Sequence, residues 1–197
     1  MPFDLRRPKA GRLHPASGLE SPARRAWLLQ VLKGCASVSV TGWPLAANAG
    51  GPRVGKPAPP LVVHTLDGNE IATDSLRGKV VILTFWATWC APCRAELPIL
   101  SAYAAEHAAQ GLQVVGISLD EADNLPEVRK VAASLSFPVA LLGGEYAGDY
   151  GRIWRMPANF TIDRAGLLAD NSWDDDHPEW TEARLQGIVS PLLRQPS

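Results

Sequence analysis

Val80-Val81-Ile82-Leu83-Thr84-Phe85-Trp86, followed at once by Ala87-Thr88-Trp89-Cys90-Ala91-Pro92-Cys93, is the stretch that decides how this chain reads. The run before Ala87 is apolar almost throughout and does not alternate. A strand covered on both faces has that pattern, whereas a half-exposed strand alternates with period two. Residues 91–110 then read as a helix closed by Gly111. Pro92 suits the first helical turn, where its missing N–H removes no bond. Pro98 falls inside the helix and predicts a kink there. Leu97, Leu100, Ala104 and Ala108 supply the inward stripe. A buried strand therefore turns into a helix at a Cys-x-x-Cys pair.

That placement points to redox chemistry. Cys90 lies at the predicted helix amino terminus, where unpaired N–H groups and the helix dipole favour a thiolate. Cys93 is one turn further in, close enough to displace a mixed disulfide intramolecularly. Metal binding and an inert pair are the competing uses of the motif. Zinc commonly takes two such pairs, or one pair with histidines. No second pair is present, and His14, His64, His107 and His177 have no ligand-like spacing to this one.

Further elements follow outward. Short β-prone runs on either side of Asp67-Gly68-Asn69 predict a hairpin. Residues 112–119 read as a second apolar strand, 126–135 as a helix, 137–142 as a third strand and 148–154 as one helical turn with a loop. Residues 158–162 and 167–172, joined through Gly166, read as an antiparallel pair. Residues 177–193 predict a terminal helix with Trp180, Leu185, Ile188 and Leu192 inward. Alternating strands and helices, closed by a hairpin and a helix, predict an α/β fold with a mixed sheet and helices on both faces.

The amino terminus is unlike the rest. Residues 1–25 are basic, with Arg6, Arg7, Lys9, Arg12, Arg24 and Arg25 against Asp4 and Glu20. A moderately apolar stretch follows and closes on Ala47-Asn48-Ala49. These are the parts of an export signal, and Arg24-Arg25-Ala26-Trp27-Leu28 resembles the twin-arginine type. The expectation is a cleaved signal over 1–49, a Gly- and Pro-rich linker over 50–60 and one domain over 61–197. An uncleaved membrane tether and a plain tail are the alternatives. After cleavage the chain would carry 12 Lys and Arg against 18 Asp and Glu. A mildly acidic domain without a basic tract predicts no nucleic-acid binding. Cys90 and Cys93 would be its only cysteines, and in an oxidising compartment a lone close pair reads as catalytic rather than structural.

The segment from Val80 through Arg94-Ala95-Glu96-Leu97-Pro98 resembles the active-site segment of the thioredoxin superfamily, and more narrowly its TlpA/ResA-like branch of exported thiol–disulfide oxidoreductases. Val54-Gly55-Lys56-Pro57-Ala58-Pro59, Asp67 to Lys79, and Met156-Pro157-Ala158-Asn159-Phe160-Thr161-Ile162-Asp163 fit the same branch. The resemblance implies a thioredoxin-like fold, a central mixed sheet flanked by helices, with an N-terminal β-hairpin extension. It implies a protein-disulfide reductase with Cys90 as nucleophile and Cys93 as resolving thiol. Pro157 would be a cis-proline, Met156 would present backbone to the substrate, and Glu96 would match the acidic residue near the cysteines. Trp89, beside the nucleophile, is expected to contact substrates. No metal and no cofactor beyond the redox-active disulfide is implied. Expected partners are client proteins with disulfides or thiols, apocytochrome c and copper-site assembly proteins being typical, and a membrane or thioredoxin-like electron donor. The expected location is periplasmic or otherwise extracytoplasmic. A thioredoxin-fold copper(I) metallochaperone is the competing reading. Two departures stand out: Thr84 replaces the buried aspartate of many thioredoxins, and Ala158-Asn159 follows Pro157 where a threonine is common.

Overall fold

The computed structural model describes residues 51–196. β3 (Val80–Trp86) is buried at every position and forms the middle of the main sheet. It pairs in parallel with β4 (Leu112–Ser118), and β4 pairs in parallel with β5 (Val139–Leu141). On its other side β3 pairs antiparallel with β6 (Ala158–Ile162), which pairs antiparallel with β7 (Leu168–Asn171). The order β5-β4-β3-β6-β7 is that of a mixed, thioredoxin-like sheet.

Three helices flank it: α1 (Ala91–His107), α2 (Leu125–Ala132) and α3 (Glu182–Leu193). The expectation of helices on both faces needs correcting. The connections β3-α1-β4 and β4-α2-β5 step the same way across the sheet. Right-handed crossovers then deliver both helices to one face. Leu97 and Leu100 of α1, Val128 of α2, and Leu185 and Val189 of α3 accordingly share one apolar cluster with Val80, Ile82 and Trp86. The alternate side chains of β3, Val81, Leu83 and Phe85, pack instead with Leu61, Val63, Tyr150 and Ile153. The second face is thus covered by the hairpin region and by the segment around a 3-10 turn at Gly148–Tyr150.

The hairpin is β1 (Val62–His64) with β2 (Glu70–Ala72), turned at Gly68 with φ 89°. It joins the sheet edge through Leu66 N–H, which donates to the Val139 carbonyl at 2.7 Å. Part of the predicted linker also engages the sheet. Gly55 N–H donates to the Leu168 carbonyl and Leu168 N–H to the Lys56 carbonyl, each at 2.8 Å. The predicted export segment 1–49 lies outside the described residues.

Helix boundaries differ from the sequence reading in physically interpretable ways. α1 runs unbroken through Pro98, whose side chain is exposed. It ends at His107 in a 3-10 turn, so Ala108 leaves the inward stripe and is exposed, while Tyr103 is buried and its hydroxyl lies 2.8 Å from that of Ser190. α3 begins at Glu182, five residues later than predicted, capped by Thr181, whose hydroxyl accepts from Arg184 N–H at 3.1 Å. Its buried positions are Leu185, Val189 and Leu193, with Ile188 and Leu192 half-buried. Residues 177–181 stay out of the helix because their main-chain groups are engaged elsewhere, with consequences for the site.

Candidate active site

The chain leaves β3 at Trp86 and enters α1 at Ala91, so Cys90 is the amino-terminal cap of α1. Its sulfur accepts from Cys93 N–H at 3.3 Å, and the two cysteines form a disulfide. Cys90 retains 6% exposure and Cys93 none. That asymmetry decides which sulfur a second protein can reach.

The turn that presents Cys90 is held by Asp120, which the sequence reading did not single out. Asp120 is buried just beyond β4. It accepts from Thr88 N–H at 2.8 Å, Thr88 Oγ1 at 2.5 Å, Ser118 Oγ at 2.8 Å and Asn124 Nδ2 at 2.9 Å. Burial pushes its carboxyl up, but these hydrogen bonds outweigh that and leave it below the usual carboxylate range. The available signal was its place: an acid directly after an apolar strand, at the carboxyl end of a parallel sheet, where sites gather. Asp120→Ala strips Thr88 and Ser118 of their acceptor. We expect it to lower unfolding free energy by about 2–3 kcal/mol, read by guanidinium titration. A loss within about 0.5 kcal/mol, the range of neutral surface changes, would show that other contacts hold the turn.

Glu96 is 1% exposed. Its carboxylate accepts from Trp180 N–H at 2.6 Å, from Thr84 Oγ1 at 3.3 Å and from Asn159 Nδ2 at 3.3 Å to each oxygen. Burial raises its pKa to about 7, against the hydrogen bonds, with the Glu179 charge adding to the rise. The solvated carboxylate that spacing alone would suggest is therefore replaced by a buried, titratable group. Thr84 and Asn159, the two departures noted above, stand opposite each other on β3 and β6 and both face it.

The Met156–Pro157 peptide is cis and Pro157 is buried. Met156 packs against the cluster that holds both cysteines. It also lines an open groove of about 250 Å³ together with Trp89, Leu119, Glu121, Asp123, Asn124, Gly144 and Glu145. Trp89 is 67% exposed there, whereas Trp86 is core. Arg155 turns away to the Ser172 and Asp175 carbonyls, and Arg152 pairs with Glu145 at 2.7 Å. In the acidic run 174–177, the Asp175 carboxylate is engaged by Arg184 and by His177 N–H. Among the described residues no three His, Cys, Asp or Glu side chains gather as a metal-ligand set.

A disulfide at a helix amino terminus, with a cis-proline following a methionine that packs on the same cluster, can now be set against known proteins. Residues 54–171 match the AhpC/TSA family. The chain belongs to that family. Within it the chain groups with the ResA-type thiol-disulfide oxidoreductases. It is 33% identical to the thiol-disulfide oxidoreductase ResA of Bacillus anthracis over 138 residues, 70% of this chain and 79% of that one. It is 31% identical to the thioredoxin-like protein YneN of Bacillus subtilis over 153 residues, 74% and 88% of the two chains. Among solved structures, a DsbE-like thiol:disulfide interchange protein from Chlorobium tepidum superposes with a TM-score of 0.57 at 27% identity, covering 72% of this chain and 99% of that one. The chain is accordingly a redox enzyme of the thioredoxin-like class.

Proposed function

We propose that this chain is an exported protein-disulfide reductase in which Cys90 attacks and Cys93 resolves. The observation that carries the reading is the exposure difference between two bonded cysteines at the α1 amino terminus. The Cys90 thiolate attacks one sulfur of a client disulfide. The client S–S bond breaks, and the departing sulfur leaves as a thiolate that takes a proton from solvent. Cys93 then gives its proton to the Glu96 carboxylate, its sulfur attacks Cys90, and the second client sulfur leaves. Two electrons pass from the dithiol to the client, and Cys90–Cys93 closes. Pro157 and Met156 would present the client's backbone, with Trp89 against its side chains.

The electrostatics support the reducing direction. Ala91 and Pro92 between the cysteines carry no positive charge to stabilise a thiolate. An ionised Glu96 one turn after Cys93 disfavours a second negative charge on the pair. A dithiol whose thiolate is little stabilised gives up its electrons more readily, the opposite of a strong oxidant. The export segment 1–49, cleaved or kept as a tether, would place the domain outside the cytoplasm. Clients there, cytochrome c and copper-site maturation factors among them, and a membrane or thioredoxin-like donor complete the proposal. No helix among the described residues is long and apolar enough to cross a membrane. Equilibration in glutathione or dithiothreitol buffers tests the direction. A potential near −270 mV, roughly that of thioredoxin, is expected. One near −120 mV, roughly that of DsbA, would reverse the direction of transfer.

A further inference from the structure

We propose that Asn159 is a positioning residue for the thiol–disulfide reaction: its side-chain amide holds the Glu96 carboxylate in place and supports its ionised form one turn after Cys93. The inference rests on the role of Glu96 in the proposed reaction and deepens it.

The geometry is that of a donor built into the sheet. Asn159 lies on β6 opposite Thr84 of β3, on the face that α1 covers. Its main-chain N–H is fixed by Ser172 Oγ at 2.7 Å. One side of the Nδ2 group spans both Glu96 oxygens at 3.3 Å, and Nδ2 also donates to the Pro178 carbonyl at 2.9 Å. Oδ1 is buried with no partner among the described residues. That imbalance assigns the amide's purpose. Turned over, it would set its oxygen against three acceptor atoms and leave its N–H groups where Oδ1 now finds no partner. The residue is held by what its NH₂ group donates.

The surroundings of Glu96 make this donor matter. β3 offers it Thr84, a single hydroxyl, and the segment before α3 offers the main-chain N–H of Trp180. That same segment carries Glu179, whose charge opposes ionisation. On its own helix Arg94 is exposed, and Cys93, three residues before Glu96, becomes titratable only when the disulfide is reduced. No cation pairs with Glu96 among the described residues. Neutral donors support the carboxylate without pinning it, so it can still take and return a proton, which a fixed countercharge would prevent.

The test follows the δ-carbon shift of Glu96 by NMR against pH, in the oxidised full-length chain. Asn159→Leu removes the donor at similar volume. Its midpoint is expected about one pH unit above wild type, the size of a lost hydrogen bond to a charged group. In the reduced protein the pH profile of Cys90 alkylation is expected to shift as well. That shift is expected to vanish when Asn159→Leu is made in a Glu96→Gln background. An unmoved midpoint, or an alkylation profile that moves equally in both backgrounds, overturns the proposal. If Asn159→Leu does not fold, Asn159→Ser, smaller and too short to span both oxygens, takes its place with the same expected direction. The titration needs no turnover, so a failure of the reductase reading shows up in activity while a failure of this one shows up in the midpoint.

Discussion

Cys93→Ala is expected to turn the protein into a trap: it reacts with a protein disulfide, then stalls as a mixed disulfide on Cys90. The expectation follows from exposure and order. Cys90 is 6% exposed at the helix cap, and Cys93 is fully buried one turn further in. The first exchange needs only an accessible sulfur near a helix amino terminus. The second needs a thiol close enough to attack Cys90 without diffusing, and Cys93 is held at a Cα–Cα separation of 5.3 Å. Without it the adduct persists until an external thiol arrives. Cys90→Ala is expected to do the reverse. Cys93 stays buried in the first turn of α1, no adduct forms, and insulin reduction falls to the uncatalysed background. Non-reducing electrophoresis and intact mass read both variants. Adducts on Cys93 in the Cys90→Ala protein would show that the buried thiol can be reached, and the order of attack would have to be exchanged.

How much of this was legible beforehand depends on what carries each feature. β3 was readable to the residue, because an unbroken apolar run has few other homes than a strand covered on both faces. The hairpin was readable because Asp67-Gly68-Asn69 is side-chain chemistry for a turn. The start of α3 was not. Residues 177–181 carry helix-compatible side chains, but the Pro178 carbonyl and Trp180 N–H are engaged by Asn159 and Glu96. Main-chain partners leave no mark in residue type, so a segment that serves the site through its backbone reads as ordinary helix. The same holds for the burial of Glu96. Its spacing places it on α1 beside exposed Arg94, and only the closing of β6 and the segment before α3 over it removes it from water. Asp120 was missed for a different reason: its four donors come from the β3–α1 turn, from β4 and from Asn124, and only the parallel pairing of β3 with β4 brings them together. The sharing of one face by all three helices is likewise a property of the strand order, which local patterns do not encode.

Glu96 makes the stability of the oxidised protein depend on pH in the direction opposite to most carboxylates, and Glu96→Gln is expected to remove that dependence. The folded-state pKa is raised from 4.5 to about 7, with burial as the main cause. Between those values the native protein holds a proton that the unfolded chain has released. Stability therefore falls as pH rises through the window. A shift of this size corresponds to ~3 kcal/mol across the whole window. Asp120 works the other way. Its lowered pKa adds stability above the ordinary carboxylate range, and that part is lost on acidification. The two are separable because Glu96→Gln leaves the Asp120 network intact. Guanidinium unfolding of wild type and Glu96→Gln is compared on both sides of the window. Wild type is expected to lose ~3 kcal/mol relative to the variant on going from the acid to the alkaline side. An equal difference between the two proteins at both ends would mean that Glu96 titrates at the same pH folded and unfolded, so that burial does not raise its pKa. At an ordinary carboxylate pKa it would be too weak a base to take the Cys93 proton effectively, and the resolving step would pass that proton to solvent.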